Sequence, residues 1–315
     1  MKKVLLSMLL LLLFTLVACG QDSDKEQADN ESGDNQQEET TDEASSGDTI
    51  TYESENGPVE VPANPERVIV LSTFAGNVLA LDVPLVGVDS WAKSNPRYDL
   101  EGVEEVSDEN LEKIIELDPD LIIGLSTIKN IDKLNEIAPT VTFTYGNLGY
   151  LEQHLEIGKL LNKEEEAQAW IDDFKTRAQA AGEEIKAKIG EDATVSVIEN
   201  FEKELYVFGD NWARGTEILY QEMELKMPEK VKEMALEAGY YTLSLEVLPE
   251  YVGDYLIVSK QEETESSFME TDTFKNIPAV QEGNVFVANA DEFYFNDPLT
   301  LEYQLEFFKE HFLAE

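Results

Sequence analysis

The chain reads as an α/β protein of two Rossmann-like lobes joined by a single long α-helix, with a ligand cleft between the lobes. Three observations predict this. Short β-branched runs alternate with helical stretches in both halves, a block rich in Ala, Glu, Lys and Gln separates the halves, and one motif occurs once in each. Such alternation is what a mainly parallel sheet with crossover helices requires. At 315 residues there is room for one large domain or two ordinary ones.

The first lobe spans residues 50–160. Val68-Ile69-Val70-Leu71 follows Pro62 and Pro65 and reads as a buried strand. A helix over about 74–81 leads to the strand Leu85-Val86-Gly87-Val88, and a polar helix over 109–116 leads to Leu121-Ile122-Ile123-Gly124. A further helix over 129–137 leads to Val141-Thr142-Phe143-Thr144. From Leu151 the pattern turns helical, with breaks expected at Gly158 and Asn162. The connecting helix, residues 161–190, is regular from about Lys163 to Ile189. Trp170, Ile171, Phe174, Ala178, Ala181 and Ile185 recur at helical spacing, so Trp170 is expected in the core rather than at a ligand. The second lobe, residues 191–315, shows strands at 194–199, 205–208, 255–258 and 285–288 and a last amphipathic helix over 298–312.

The repeated motif is Leu111-Glu112 followed by Asp120-Leu121-Ile122-Ile123, and Leu245-Glu246 followed by Asp254-Tyr255-Leu256-Ile257. Each copy reads as helix, turn and buried strand, which argues for two similar lobes facing one another. A cleft between such lobes is a favoured ligand site.

Composition removes several function classes. With 66 acidic against 23 basic residues and a net charge of −43, no nucleic-acid partner is expected, because phosphates need clustered Lys and Arg. One Cys excludes a disulfide framework and a Cys-based zinc site. His154 and His311 lie far apart in sequence, which disfavours a bare-metal site of converging His and carboxylate ligands. No P-loop, GxSxG, HExxH or strand-borne GxGxxG is found, so an enzyme is not expected.

Residues 1–18 form a secretory signal: Lys2 and Lys3, then an apolar run from Val4 to Val17, shorter than the ~20 residues of a membrane span. Leu16-Val17-Ala18-Cys19 resembles the bacterial lipobox, making Cys19 the expected lipidation site and the extracellular face of the cell membrane the expected location, the competing reading being an uncleaved anchor with an incidental Cys. Residues 19–49 read as an acidic, disordered tether. Between Gly20 and Thr49 there are eleven acids, one Lys and no aromatic, Val, Ile, Leu or Met. Residues 50–315 then carry 55 acids and 20 bases, a net of −35, which suits adaptation to high salt or high pH better than a dedicated polyanion.

These features, with Pro65-Glu66-Arg67-Val68 opening a strand and Leu117-Asp118-Pro119-Asp120-Leu121-Ile122, resemble the helical-backbone class of substrate-binding proteins. That class serves bacterial ABC importers of ferric siderophores, haem and vitamin B12. Asn211-Trp212-Ala213-Arg214-Gly215 and Tyr294-Phe295-Asn296-Asp297-Pro298 are similar to the ferric-hydroxamate siderophore-binding lipoproteins of Gram-positive bacteria. The resemblance implies a monomeric carrier with little lobe closure, which passes an intact ferric complex to an ABC permease and its ATPase. It implies no intrinsic cofactor and no direct metal ligand, since the siderophore fills the iron's coordination shell.

By the same resemblance Trp212, Arg214, Tyr294, Tyr145 and Tyr206 contact ligand, and Trp91, by its place in the chain, is expected to wall the same cleft. Arg214 offers a guanidinium fork for hydroxamate oxygens, and Trp212 a flat apolar wall. A salt-bridging Arg214 at a helix start, or tyrosines that merely rim the core, are the competing readings. Trp91 is expected in the loop after Leu85–Val88. Glu112 and Glu246 are expected to dock onto permease arginines, the competing reading being ordinary solvated charge. A tris-catecholate complex, with three negative charges, is poorly matched to so acidic a body. Another ferric siderophore, haem (through Tyr) or cobalamin remain the alternatives in the same superfamily.

Overall fold

The computed structural model describes residues 48–201, 204–261 and 266–314. The signal segment, Cys19 and nearly all of the acidic tether lie outside them. Thr49, assigned to the tether by composition, instead opens a hairpin of β1 (Thr49–Ser54) and β2 (Gly57–Pro62), whose pairing is antiparallel.

The first lobe continues as β3 (Val68–Val70), α1 (Ala75–Leu79), β4 (Leu85–Val88), α2 (Ser90–Ser94), β5 (Glu104–Glu105), α3 (Leu111–Glu116), β6 (Leu121–Leu125), α4 (Ile131–Asn135) and β7 (Thr140–Phe143). The strands lie in the order β5-β4-β3-β6-β7, all parallel. Every residue of β3 is buried, as expected of a central parallel strand covered on both faces. The helices are shorter than their apolar patterns suggest. The Asn110 side chain accepts from the Lys113 N–H at the start of α3, and left-handed Asn130 (φ 61°) immediately precedes α4.

α5 (Tyr150–Leu160) and α6 (Glu164–Ile189) follow. Asn162, at φ 56°, breaks the chain between them as expected. Gly158 does not break it. It sits inside α5, where a Cβ would lie 2.6 Å from the Ala167 Cβ and 3.0 Å from the Lys163 carbonyl oxygen. Its missing side chain lets α5 and α6 approach. The 26 residues of α6 give a rod roughly 39 Å long. Glu164–Glu166 in its first turn and Lys186 and Lys188 in its last complement the helix dipole.

The second lobe comprises β8 (Val195–Phe201), β9 (Glu204–Phe208), a π-helical turn (Ile218–Glu222), α7 (Glu229–Ala235), β10 (Tyr240–Leu243), β11 (Tyr255–Lys260), α8 (Asp272–Lys275), α9 (Pro278–Gln281), β12 (Val285–Asn289) and α10 (Pro298–Leu313). Its order, β10-β9-β8-β11-β12, mirrors that of the first lobe. The sheet is nevertheless mixed: β8, β10, β11 and β12 share one direction, whereas β9 runs antiparallel to both of its neighbours, β8 and β10.

The sequence repeat has a structural counterpart. The Asp120 carboxylate accepts from the Glu66 and Arg67 backbone N–H groups at 2.7 and 3.0 Å, and Asp254 accepts from the Thr194 N–H and hydroxyl at 2.7 and 2.9 Å. Each Asp precedes the strand beside its lobe's central strand and clamps the chain entering that central strand. The helical part is not repeated. Glu112 lies in the first turn of α3, whereas Glu246 lies in a turn before one 3₁₀ turn, Leu248–Glu250; both side chains are exposed.

Side chains tie the two halves together. Trp170, half-buried, stacks on Phe174 at 4.8 Å and donates from Nε1 to Glu302 of α10, so it packs against the core on the face its spacing requires. Asp297 caps α10 by accepting from the Leu299 and Thr300 N–H groups, and also takes the Tyr98 hydroxyl of the first lobe. Arg97 reaches Glu292 at 2.7 Å. In each lobe the strand order reverses between the central strand and its neighbour, β3/β6 and β8/β11. Crevices in α/β sheets open at the carboxyl ends of strands beside such reversals.

Candidate functional site

A cleft of about 850 Å³ opens there between the lobes. From the first lobe it is lined by Ser72 and Thr73 after β3, Asp89 and Trp91 after β4, Leu125 at the end of β6 and Tyr145 after β7. From the second lobe come Phe201 at the end of β8, Tyr206 on β9, Tyr240 on β10, the loop 212–214, and Tyr294.

All six residues expected at a ligand, Trp91, Tyr145, Tyr206, Trp212, Arg214 and Tyr294, border this one cleft. Two of them sit within regular elements. Trp91 is on α2, not in a loop, because Asp89 Oδ1 accepts from the Ala92 N–H at 2.8 Å and starts a helix there. Burial raises the Asp89 pKa. Tyr206 is in the middle of β9, within the strand and not in a loop, with its hydroxyl 3.1 Å from Glu204. Glu112 and Glu246 do not line the cleft.

Trp91 and Tyr145 project from the first lobe onto aromatic rings of the second. Trp91 meets Tyr294 edge-on at 5.2 Å, and Tyr145 meets Trp212 edge-on at 5.4 Å. Trp212 continues to Tyr240 at 5.1 Å, and Tyr240 to Tyr206 at 5.9 Å, giving a continuous aromatic wall.

The loop carrying Trp212 and Arg214 is conformationally unusual. Ala213, Arg214 and Gly215 are all left-handed, with φ of 55°, 59° and 79°. Left-handed non-glycine residues persist only where surrounding contacts over-determine them. The Arg214 N–H donates to the Phe293 carbonyl at 2.7 Å, and the Ala213 N–H to Glu217 at 2.9 Å. Glu217 also accepts from the Asn296 side chain at 2.9 Å, and its burial raises its pKa. The two sequence motifs around Arg214 and Tyr294 are thus one hydrogen-bonded unit.

The Arg214 guanidinium lies between two rings, its Cζ 4.7 Å from the Tyr294 centroid and 5.0 Å from that of Phe208. Its Nε donates to Glu199 Oε2 at 2.7 Å, and the Tyr294 hydroxyl donates to Glu199 Oε1 at 3.1 Å. Glu199 is 1% exposed. Burial first, then the Glu199 charge and hydrogen bond, push the Tyr294 hydroxyl well above its ordinary range, so it remains a phenol. Arg214 is therefore ion-paired, but beneath the cleft surface, and it still lines the cleft.

Glu199, Phe201 and Tyr240 escaped the sequence reading. A signal existed for Glu199. It follows Val195 and Val197 on one face of β8, a strand buried on both faces as far as Glu199, and places a carboxylate where an apolar side chain is expected.

Comparison with known proteins agrees with this architecture. A profile for periplasmic binding proteins matches residues 70–292. The chain is 35% identical over 310 residues to the iron(3+)-hydroxamate-binding protein FhuD of Bacillus subtilis, covering 96% of this chain and 94% of the relative. FhuD2 of Staphylococcus aureus, solved with bound ferrioxamine B, superposes with a TM-score of 0.76 at 35% identity, covering 79% of this chain and 98% of that one. A periplasmic binding protein component of a Fep/Fec-like ferrichrome ABC transporter from Bacillus subtilis gives 0.78 at 36% identity, covering 84% and 100%. Matched through both sheets, the helix between them and the loops that border the cleft, the chain belongs to the periplasmic binding protein family.

Proposed function

We propose that this protein captures ferric hydroxamate siderophores outside the cytoplasm and delivers them to an ABC permease for iron import. The observation that carries the reading is the chemistry of the cleft. Its walls are aromatic, and among the described residues lining it Arg214 is the one basic side chain, already paired with buried Glu199. A ferric trihydroxamate has a neutral core, its whole charge being set by its end groups, and presents hydroxamate oxygens to a guanidinium donor and apolar arms to aromatic walls. A tris-catecholate complex brings three negative charges and would face Asp89 and Glu204 with little compensation. Iron arrives fully ligated as cargo, so the protein supplies neither metal ligand nor resident cofactor. Ligand contact is assigned to Trp212, Arg214, Tyr294, Tyr145, Tyr206 and Trp91.

The reading extends to delivery. The carrier acts as a monomer, anchored through lipidated Cys19 and held off the membrane by the acidic segment after it. Its exposed Glu112 and Glu246, one from each lobe, pair with permease arginines, where charge sets orientation and encounter more than affinity.

The test is a tryptophan-fluorescence titration of the full chain with linear and cyclic ferric trihydroxamates, a ferric tris-catecholate, haemin and cobalamin. Saturable, inner-filter-corrected quenching by the hydroxamates alone is expected. Quenching by haemin or the catecholate alone would overturn the reading. Arg214→Ala should weaken hydroxamate binding at least ~10-fold, the scale of one lost charge-assisted hydrogen bond. Unchanged affinity would remove Arg214 from the site.

A further inference from the structure

We propose that Glu199 determines which charge of chelate the cleft accepts, acting through Arg214; the inference rests on the siderophore reading above and deepens it. Glu199 lies near the carboxyl end of β8, the last of five consecutive buried residues on a strand covered on both faces, and is 1% exposed. A carboxylate in such a place is costly unless it is paired and hydrogen-bonded, and here both oxygens are engaged, Oε2 by Arg214 Nε and Oε1 by the Tyr294 hydroxyl. Arg214 needs no such partner to serve as a donor. Its backbone is fixed by the Phe293 carbonyl, and its guanidinium is held between the Tyr294 and Phe208 rings.

What Glu199 adds is charge cancellation. The pair presents N–H donors to the cleft with no net positive charge. The other charged groups lining the cleft among the described residues are Asp89, in the cap of α2, and Glu204, on β9. The floor therefore donates hydrogen bonds to hydroxamate oxygens without attracting anions. Remove Glu199, and the same guanidinium becomes an anion site in a low-dielectric setting, where one unit charge at close range changes affinity strongly.

The probe is a matched series on one scaffold: a linear ferric trihydroxamate with a free terminal ammonium, its N-acetyl form and its N-succinyl form, carrying +1, 0 and −1. All are titrated against the full chain. Glu199→Gln should raise affinity for the succinyl form relative to the acetyl form on the order of 10-fold, more at low salt. Arg214→Gln should weaken all three, yet move the ratio the opposite way, favouring the ammonium form. A purely structural role for Glu199 would lower affinity for the three alike. If Glu199→Gln lacks a cooperative melt, the ratio in Arg214→Gln decides. Unchanged ratios with a wild type that binds the series overturn the inference and leave the siderophore reading standing. A wild type that binds none of the three overturns that reading, and the inference with it.

Discussion

His154 is polar, 1% exposed and enclosed by packing. Its Nδ1 is paired with Asn77 Oδ1 at 3.1 Å, and its ring meets Trp170 edge-on at 5.3 Å. Burial lowers its pKa to about 4, against the ordinary 6.5. In the window between those values the unfolded chain binds a proton that the folded chain refuses, so stability is lost as pH falls from about 6.5 toward 4. The full difference is about 3 kcal/mol. His154→Gln removes this linkage. The stability gap between wild type and variant, from urea unfolding at pH 7, 5.5 and 4.5, should narrow as pH falls, because the common carboxylate titrations cancel. A constant gap would show that His154 carries no such linkage. Side chains of this kind also mark how far sequence reaches. Arg214 and Trp212 were legible because the loop motif around them is local and distinctive. Tyr240 was not, and Glu199 showed only as a carboxylate within an apolar strand, because which end of a strand borders a cleft depends on the partner lobe. One strand's alternation reports only which face is buried.

Among the elements, α6 was predicted within a residue of its observed ends, since many turns of periodic pattern reinforce one another. The five-residue α1, α2 and α4 carry too little pattern to fix their ends, and of the three only α2 has a side-chain cap, from Asp89. The antiparallel sense of β9 was equally hidden, because strand direction leaves no mark on periodicity. Gly182 supplies a test of what positions α6. A Cβ there would collide with the Met223 backbone, at the end of the π-helical turn. Helix propensity alone favours Gly182→Ala by about 1 kcal/mol, whereas forcing a methyl against fixed backbone costs about 1–3 kcal/mol. The contact should win. A lower urea midpoint at unchanged m is expected, and a raised midpoint would show that the turn yields and that α6 does not depend on that close approach.

For the whole molecule, the two lobes are alike where Asp120 and Asp254 clamp their central strands, and unlike in the sense of β9. Glu112 and Glu246 each stand eight residues before those clamps, so equivalent framework positions hold one exposed carboxylate per lobe. If they are docking points, what matters is their place and not their contribution to total charge. Reversing both to Lys changes the −35 of residues 50–315 by only about four units, a small part of the long-range field. The Glu112→Lys/Glu246→Lys protein should therefore bind a ferric trihydroxamate within about two-fold of wild type while supporting much slower cellular iron uptake, with each single variant intermediate. Reversing two exposed glutamates of α6, Glu165 and Glu184, makes the same change in net charge elsewhere on the surface. That control should leave uptake of radiolabelled iron near the wild-type rate. Equal losses in the two double variants would assign the effect to bulk charge, and Glu112 and Glu246 would then be ordinary surface carboxylates.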